Sequence, residues 1–238
     1  MNLDDFYTYK DNAVSFTREQ ASAFAKDVAG DFNPIHDVDA KRFCVPGDLL
    51  FSVVATKLGV SKSMRFVFQS MVNESTQVQI PNALASESDF EVCDQNEKTL
   101  MRIERSDAST SNQEFIVGLI ERYVEFSGHT FPDILTPLMK SKGVMINPAR
   151  PLVIYTNMEI HIDDFANGEM SLDFASASLD VDEKKGRVEL KFDVEVDGTT
   201  IGHGIKNMVL GGLRAYEQSV IDTLVLEYNE TKAGYLSA

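Results

Sequence analysis

A chain of 238 residues, 43% of them hydrophobic, is globular and large enough for one big domain or two of ordinary size. Its formal net charge of −15 works against nonspecific attraction to nucleic-acid phosphates or anionic membranes, so neither is expected as a partner. No apolar run approaches the roughly eighteen residues of a membrane span, and the acidic start MNLDDFYTYK is unlike a secretory signal, so a cytoplasmic location is expected.

In chain order, residues 1–16 read as an irregular lead-in with a short strand from Ala13 to Phe16. Thr17 and Gln20 form a capping box for a helix. Ala21, Phe24, Ala25, Val28 and Ala29 give that helix one buried face, and Gly30 is its left-handed stop. A second helix is predicted from Asp48, as N-cap after Pro46 and Gly47, through LLFSVVATKL to Gly59. It is apolar on almost every face, so other structure must wrap it. The wrapping strands are predicted at Met64–Val72, Thr76–Pro81, Ser88–Cys93 and Thr99–Glu104, with Phe66, Phe68, Val78, Ile80, Phe90, Val92, Met101 and Ile103 inward. Asp94 to Lys98 is a hairpin turn, and the polar run Ser106–Gln113 divides an N-terminal half, 1–110, from a C-terminal half, 111–238.

Past that boundary Phe115, Ile116, Leu119, Ile120, Tyr123 and Phe126 mark another amphipathic helix ending in Ser127-Gly128. A shift of 98 residues aligns Ala29-Gly30 with Ser127-Gly128 and Pro34 with Pro132, but none of the chemistry survives it. Long alternating strands follow at Ile154–Ile162, Met170–Asp180, Arg187–Val196 and Thr199–Leu210, with Asp197-Gly198 as a hairpin turn. A closing helix, Tyr216–Tyr228, is expected to bury Val220, Ile221, Leu224 and Val225. The pattern is an α+β fold of two halves, each an antiparallel sheet on a helix. His203 alternates with Ile201 and Ile205 and is expected to point inward, as a minor site candidate; His161 falls on the polar phase. Cys44 and Cys93 read as packed thiols, and no spacing suits a metal.

The densest chemistry lies in Gly30, Asp31, Phe32, Asn33, Pro34, Ile35 and His36, which put an acid, an amide, a rigid turn and an imidazole into one helix-terminal turn. Asp, Asn, Pro and His at these offsets arise by chance in roughly one chain in a thousand. With Phe24-Ala25 before it and Asp39 after it, this stretch resembles the signature of the MaoC-like (R)-specific enoyl-CoA hydratases, or hydratase 2. The resemblance covers about residues 13–105, with motif strength at 24–52; the whole chain also resembles an uncharacterised bacterial family of this length. It implies a hot dog fold, a curved antiparallel sheet around a central apolar helix, and for two halves a double hot dog. It also implies hydration of an α,β-unsaturated acyl thioester on coenzyme A or an acyl carrier, with no cofactor beyond the coenzyme A of the substrate.

Such chemistry needs a base to activate water at Cβ, a proton for Cα, and donors for the enolate oxygen. Asp31 and His36 suit the first two tasks, in either division of the protons, and Asn33 orients the turn or the water. By the resemblance, a backbone N–H near Gly47 receives the thioester oxygen. Asp48 and Ser52 belong with it on the substrate side, and Lys57, Lys62 and Arg65 are candidates for coenzyme A phosphates. Two departures stand out: Pro46-Gly47 replaces the family's His-Gly, and Asp48, as a cap, would occupy the N–H groups of the oxyanion site and repel negative charge there. That opens two alternatives, a non-catalytic acyl-CoA or lipid-binding regulator and a hot dog thioesterase. Monomer and homodimer are both open.

Overall fold

The structure is a computed structural model that describes residues 1–81, 88–106 and 108–237. The chain opens with a small hairpin in which Thr8–Lys10 pairs with Ala13–Ser15. Helix α1 (Arg18–Ala23) starts on the expected box: Thr17 Oγ1 accepts from Gln20 N–H, and Gln20 Oε1 accepts from Thr17 N–H. Its continuation, Phe24–Ala29, is wound as a wider π-helix and stops at Gly30, whose φ of +66° belongs to the left-handed region that glycine enters freely.

Helix α2 (Gly47–Leu58) is buried on every face from Leu49 to Ala55, as its composition requires. It packs against a seven-stranded antiparallel sheet made of β1 (Ser63–Phe68), β2 (Asp89–Cys93), β3 (Thr99–Arg105), β4 (Val153–Ile162), β5 (Met170–Asp182), β6 (Lys185–Val196) and β7 (Thr199–Gly211). The spatial order is β5-β6-β7-β4-β1-β3-β2. Among the described residues, the sheet strands before residue 110 join those after it at a single seam, where Ser63–Val67 of β1 pairs with Asn157–His161 of β4. Helix α3 (Gln113–Gly128) lies beside α2, and Phe51 of α2 meets Phe66 and Tyr123 edge-on at 5.0 and 5.1 Å between ring centroids. A second core, with Leu135, Met139, Val188, Leu190, Leu210 and Ile221, lies under α4 (Leu135–Ser141) and α5 (Gln218–Leu236).

The α+β architecture and the long C-terminal strands match the alternation in the sequence, and Val188, Leu190, Phe192, Val194 and Val196 are all buried. Four local expectations are corrected. Thr76–Pro81 is not a strand: among the described residues it holds only isolated bridges, Val14 to Val78 and Gln79 to Cys93. The β1 strand ends at Phe68 rather than Val72. The last helix runs to Leu236, and of the four apolar residues expected inside it only Ile221 is fully buried. His203 faces outward, because a bulge between the partners of Val194 and Glu195 leaves Ile201 unpaired and reverses the phase of β7. His203 stacks on His161 at 5.1 Å outside, and the reversal carries Lys206 into the interior.

Candidate acid–base site

Gly30 turns the chain out of the π-helix, and the residues after it are held by their own side chains. Asp31 Oδ1 accepts from Asn33 N–H at 2.9 Å, and Asn33 Oδ1 accepts from Ile35 N–H at 3.2 Å. Asn33 thereby caps a single 3-10 turn, Pro34–His36, with Pro34 supplying a fixed φ at its first position. That turn presents the imidazole. His36 Nδ1 donates to the Cys44 carbonyl at 2.6 Å, since a carbonyl only accepts. In the neutral ring Nε2 is therefore an acceptor, and it faces Asp31 Oδ2 at 3.8 Å. Two acceptors at that distance do not bond directly, but one water has hydrogens to donate to both. Helix α5 braces the turn from behind: the Tyr228 hydroxyl donates to Gly30 O and accepts from Phe32 N–H, each at 3.2 Å. Burial pushes that hydroxyl up to about 12, against the opposing hydrogen bond from Phe32.

The head of α2 lies three residues past Cys44. Pro46, not Asp48, is the N-cap, and no side chain among the described residues caps the helix. Asp48 sits inside the first turn and turns its carboxylate toward α3, which corrects the expectation that it blocks the helix N–H groups. Its Oδ2 accepts from Ser127 Oγ at 2.5 Å, and Ser127 Oγ accepts from Lys206 Nζ. The Lys206 ammonium stands 4.7 Å over the Tyr155 ring, and the Tyr155 and Tyr123 hydroxyls are hydrogen-bonded to each other. Asp48 is half-buried; its Oδ1 is enclosed and has no hydrogen-bond partner among the described residues. Burial raises its pKa above the usual carboxylate range, with Lys206 and Ser127 opposing the rise. Burial likewise drives Tyr123 and Tyr155 well above the ordinary phenol value. Gly47 is close-packed under Tyr155, whose Cδ1 would lie 2.9 Å from a Cβ there.

Asp31, Asn33 and His36 share one turn, which the Cys44 carbonyl ties to the segment leading into Gly47 and Asp48; the other candidates lie elsewhere. Ser52 Oγ donates back to the Asp48 carbonyl at 2.6 Å and is buried, so its hydroxyl belongs to its own helix. Lys57, Lys62 and Arg65 lie at or beyond the opposite end of α2. Lys57 stands 3.8 Å over the Tyr9 ring, and Lys62 donates to the Asp163 carbonyl at 2.6 Å. Arg65 lies between Glu159, at 3.1 Å, and Glu104, at 3.6 Å. Cys44 and Cys93 are free thiols, and burial pushes Cys44 up to about 11. Among the described residues no group of three or more His, Cys, Asp or Glu is placed to hold a metal ion, and no helix is long and apolar enough to cross a membrane.

Ser127, Lys206, Tyr123 and Tyr155 join the site only through the fold; the sequence reading does not place them there. Lys206 shares the alternation phase of Met208 and Leu210, which is the one signal that it points inward. Ser127 reads only as a helix stop.

These features define an α+β protein with one large antiparallel sheet against apolar helices and an Asp-x-Asn-Pro-x-His turn past the end of the first of them. The chain belongs to the protein family of unknown function DUF3581, whose model matches residues 1–219. No curated protein matches it. Among solved structures it is similar to a tesB protein of Mycobacterium avium subspecies paratuberculosis, at 8% identity and a TM-score of 0.44 over 70% of this chain and 87% of that one. It is similar to the acyl-CoA thioesterase II TesB2 of Mycobacterium marinum at 8% identity and a TM-score of 0.43, over 90% and 99% of the two chains. A MaoC-like dehydratase matches at 11% identity and a TM-score of 0.38, over 88% and 99%.

Proposed function

We propose that the chain is a double hot dog protein that adds water to a trans-2-enoyl thioester, with Asp31 and His36 as its acid–base pair. The observation that carries this reading is the Nδ1–H bond to the Cys44 carbonyl, which leaves His36 Nε2 as an acceptor 3.8 Å from Asp31 Oδ2, a spacing that a single water can bridge. A water held there gives one proton to the pair as its oxygen bonds to Cβ. The electrons of the carbon–carbon double bond move toward the thioester oxygen, and a proton from the pair reaches Cα as the carbonyl re-forms. The N–H groups at the start of α2 have no acceptor within the helix and stand at its positive end, which supports Gly47 N–H as the donor to the enolate oxygen in this reading. Asp48 leaves those groups open by turning to Ser127. Asn33 is a positioning residue, its amide oxygen being committed to Ile35.

The test is the loss of conjugated enoyl absorbance with a short and a medium trans-2-enoyl-CoA, run beside Asp31→Ala and His36→Ala. Hydration lost in both folded variants supports the reading. Release of free thiol would make the protein a thioesterase, and binding with unchanged ligand would make it a non-catalytic acyl-thioester binder.

A further inference from the structure

Helix α5 is 19 residues long and buries only Ile221 and Tyr228. Ile221 belongs to the second core; Tyr228, two turns further along the same face, leaves that core and meets the turn. Its ring packs edge-on against Phe32 at 6.1 Å and Phe131 at 5.3 Å between centroids. Its hydroxyl reaches the two peptide groups on either side of Asp31. It donates to Gly30 O, in the peptide before Asp31, and accepts from Phe32 N–H, in the peptide after it, each at 3.2 Å. The Asp31 N–H is held in turn by the Ala25 carbonyl at 2.8 Å. Those two planar groups define φ and ψ of Asp31, and hence the direction in which its side chain leaves the backbone.

The other member of the pair is anchored without α5: His36 Nδ1 donates to Cys44 O, and Cys44 N–H returns a bond to Ile35 O at 3.1 Å. At the Asp31 end the local bond, from Asn33 N–H to Oδ1, travels with the turn, and Gly30 beside it is the residue that rotates most freely. We propose that Tyr228 is a positioning residue of the Asp31–His36 site, its hydroxyl fixing the direction of the Asp31 carboxylate and with it the gap to His36 Nε2. This rests on the hydration reading and extends it: the last helix of the C-terminal half sets the geometry of a motif in the N-terminal half. Tyr228 has no proton to give the substrate, because a hydroxyl has one hydrogen and Gly30 O takes it. Misplacing one member of an acid–base pair slows the chemical step and leaves the binding of the thioester alone, so the effect falls on kcat rather than KM.

Tyr228→Phe keeps the ring and removes the hydroxyl. Val225→Ala, which thins the packing of α5 on the second core, loosens the same helix away from the turn. Enoyl-CoA hydration is measured in both beside the wild type, with folding checked by urea denaturation. Carbon-13 NMR of labelled aspartate carboxyls follows the Asp31 resonance, assigned with Asp31→Asn. Tyr228→Phe is expected to lower kcat by about tenfold or more with KM within about twofold of the wild type, and to move the Asp31 resonance. Val225→Ala is expected to do neither. An unchanged kcat, a loss confined to KM, or an equal loss in Val225→Ala overturns the proposal. So does failure of Tyr228→Phe to fold, since the hydroxyl would then hold the fold and not Asp31. If the wild type hydrates nothing, the hydration reading falls by itself and the resonance decides. Moved in Tyr228→Phe alone, it sustains Tyr228 as the group that places Asp31; unmoved, or moved equally in Val225→Ala, it overturns that role.

Discussion

The Gly30–His36 turn and the Asp48–Ser127–Lys206 cluster are neighbours built on opposite terms. The acid, amide and imidazole of the turn are held locally, by side-chain bonds spanning two residues and one of eight to Cys44. Only Tyr228, among its described hydrogen-bond partners, braces the turn from far along the chain. In the cluster Ser127 and Lys206 are buried and Asp48 is half-buried, and each of its two links joins residues 79 apart in the chain. Local chemistry of the first kind leaves a motif; the second kind is created by the fold and leaves almost none. The two should also fail differently, the turn in function and the cluster in stability.

The largest effect is expected just outside both. A Cβ on Gly128 would collide with the Ala29 carbonyl oxygen, where the end of α3 meets the helix that carries the turn. Gly128→Ala should therefore cost about 3 kcal/mol or more, or prevent folding, as read by urea denaturation; a loss below about 1 kcal/mol would mean that this contact is loose. Next, Lys206→Met leaves Asp48 without its counter-charge and should cost about 3 kcal/mol near neutral pH. Adding Asp48→Asn should recover much of that loss in a double-mutant cycle, and strict additivity would show that the two are not coupled.

The same cluster fixes a sign for pH dependence. The folded-state pKa of Asp48 is raised, so the unfolded chain ionises first as pH climbs. Asp48 therefore costs no stability below the unfolded pKa, and stability falls as pH rises from there through the folded value. Because Lys206 opposes the rise, Lys206→Met should extend that falling limb to higher pH, while Asp48→Asn should remove it. Urea midpoints measured across the acid range check both.

Smaller still is Tyr228→Phe, which strips one hydroxyl from Gly30 O and Phe32 N–H and should cost about 1–2 kcal/mol. Faster hydrogen exchange at the Phe32 amide would localise the loss to the turn. The smallest effect on stability is expected for Asp31→Ala and His36→Ala, whose side chains are 31% and 12% exposed and carry no packing core. They should shift the thermal midpoint little and yet lower hydration by roughly a hundredfold or more. Loss of fold in either would erase the contrast between turn and cluster.

The same contrast separates what is legible in the residues from what is not. Capping by Thr17, the stop at Gly30, the wrapped apolar helix that ends before Gly59 and the alternation of Val188 to Val196 are periodic or local, and each can be read directly. Asp48 reads as a cap because Pro46 and Gly47 before an acid mimic one; Ser127 and Lys206, which turn it inward, lie far along the chain. His203 reads as inward because one unpaired residue, Ile201, reverses the alternation, and a bulge has no reliable signature. The Asp31–His36 pairing is visible as a motif, but the Cys44 carbonyl that orients the imidazole is not, since any residue can offer a carbonyl.

The most direct measurement incubates the protein with a trans-2-enoyl-CoA in water carrying heavy oxygen and finds the label by mass spectrometry. Hydration at the Asp31–His36 pair predicts one heavy oxygen on the 3-hydroxyl of an intact thioester, absent when His36→Ala replaces the wild type. Label in a released carboxylate, or an unlabelled and unchanged thioester, would contradict it.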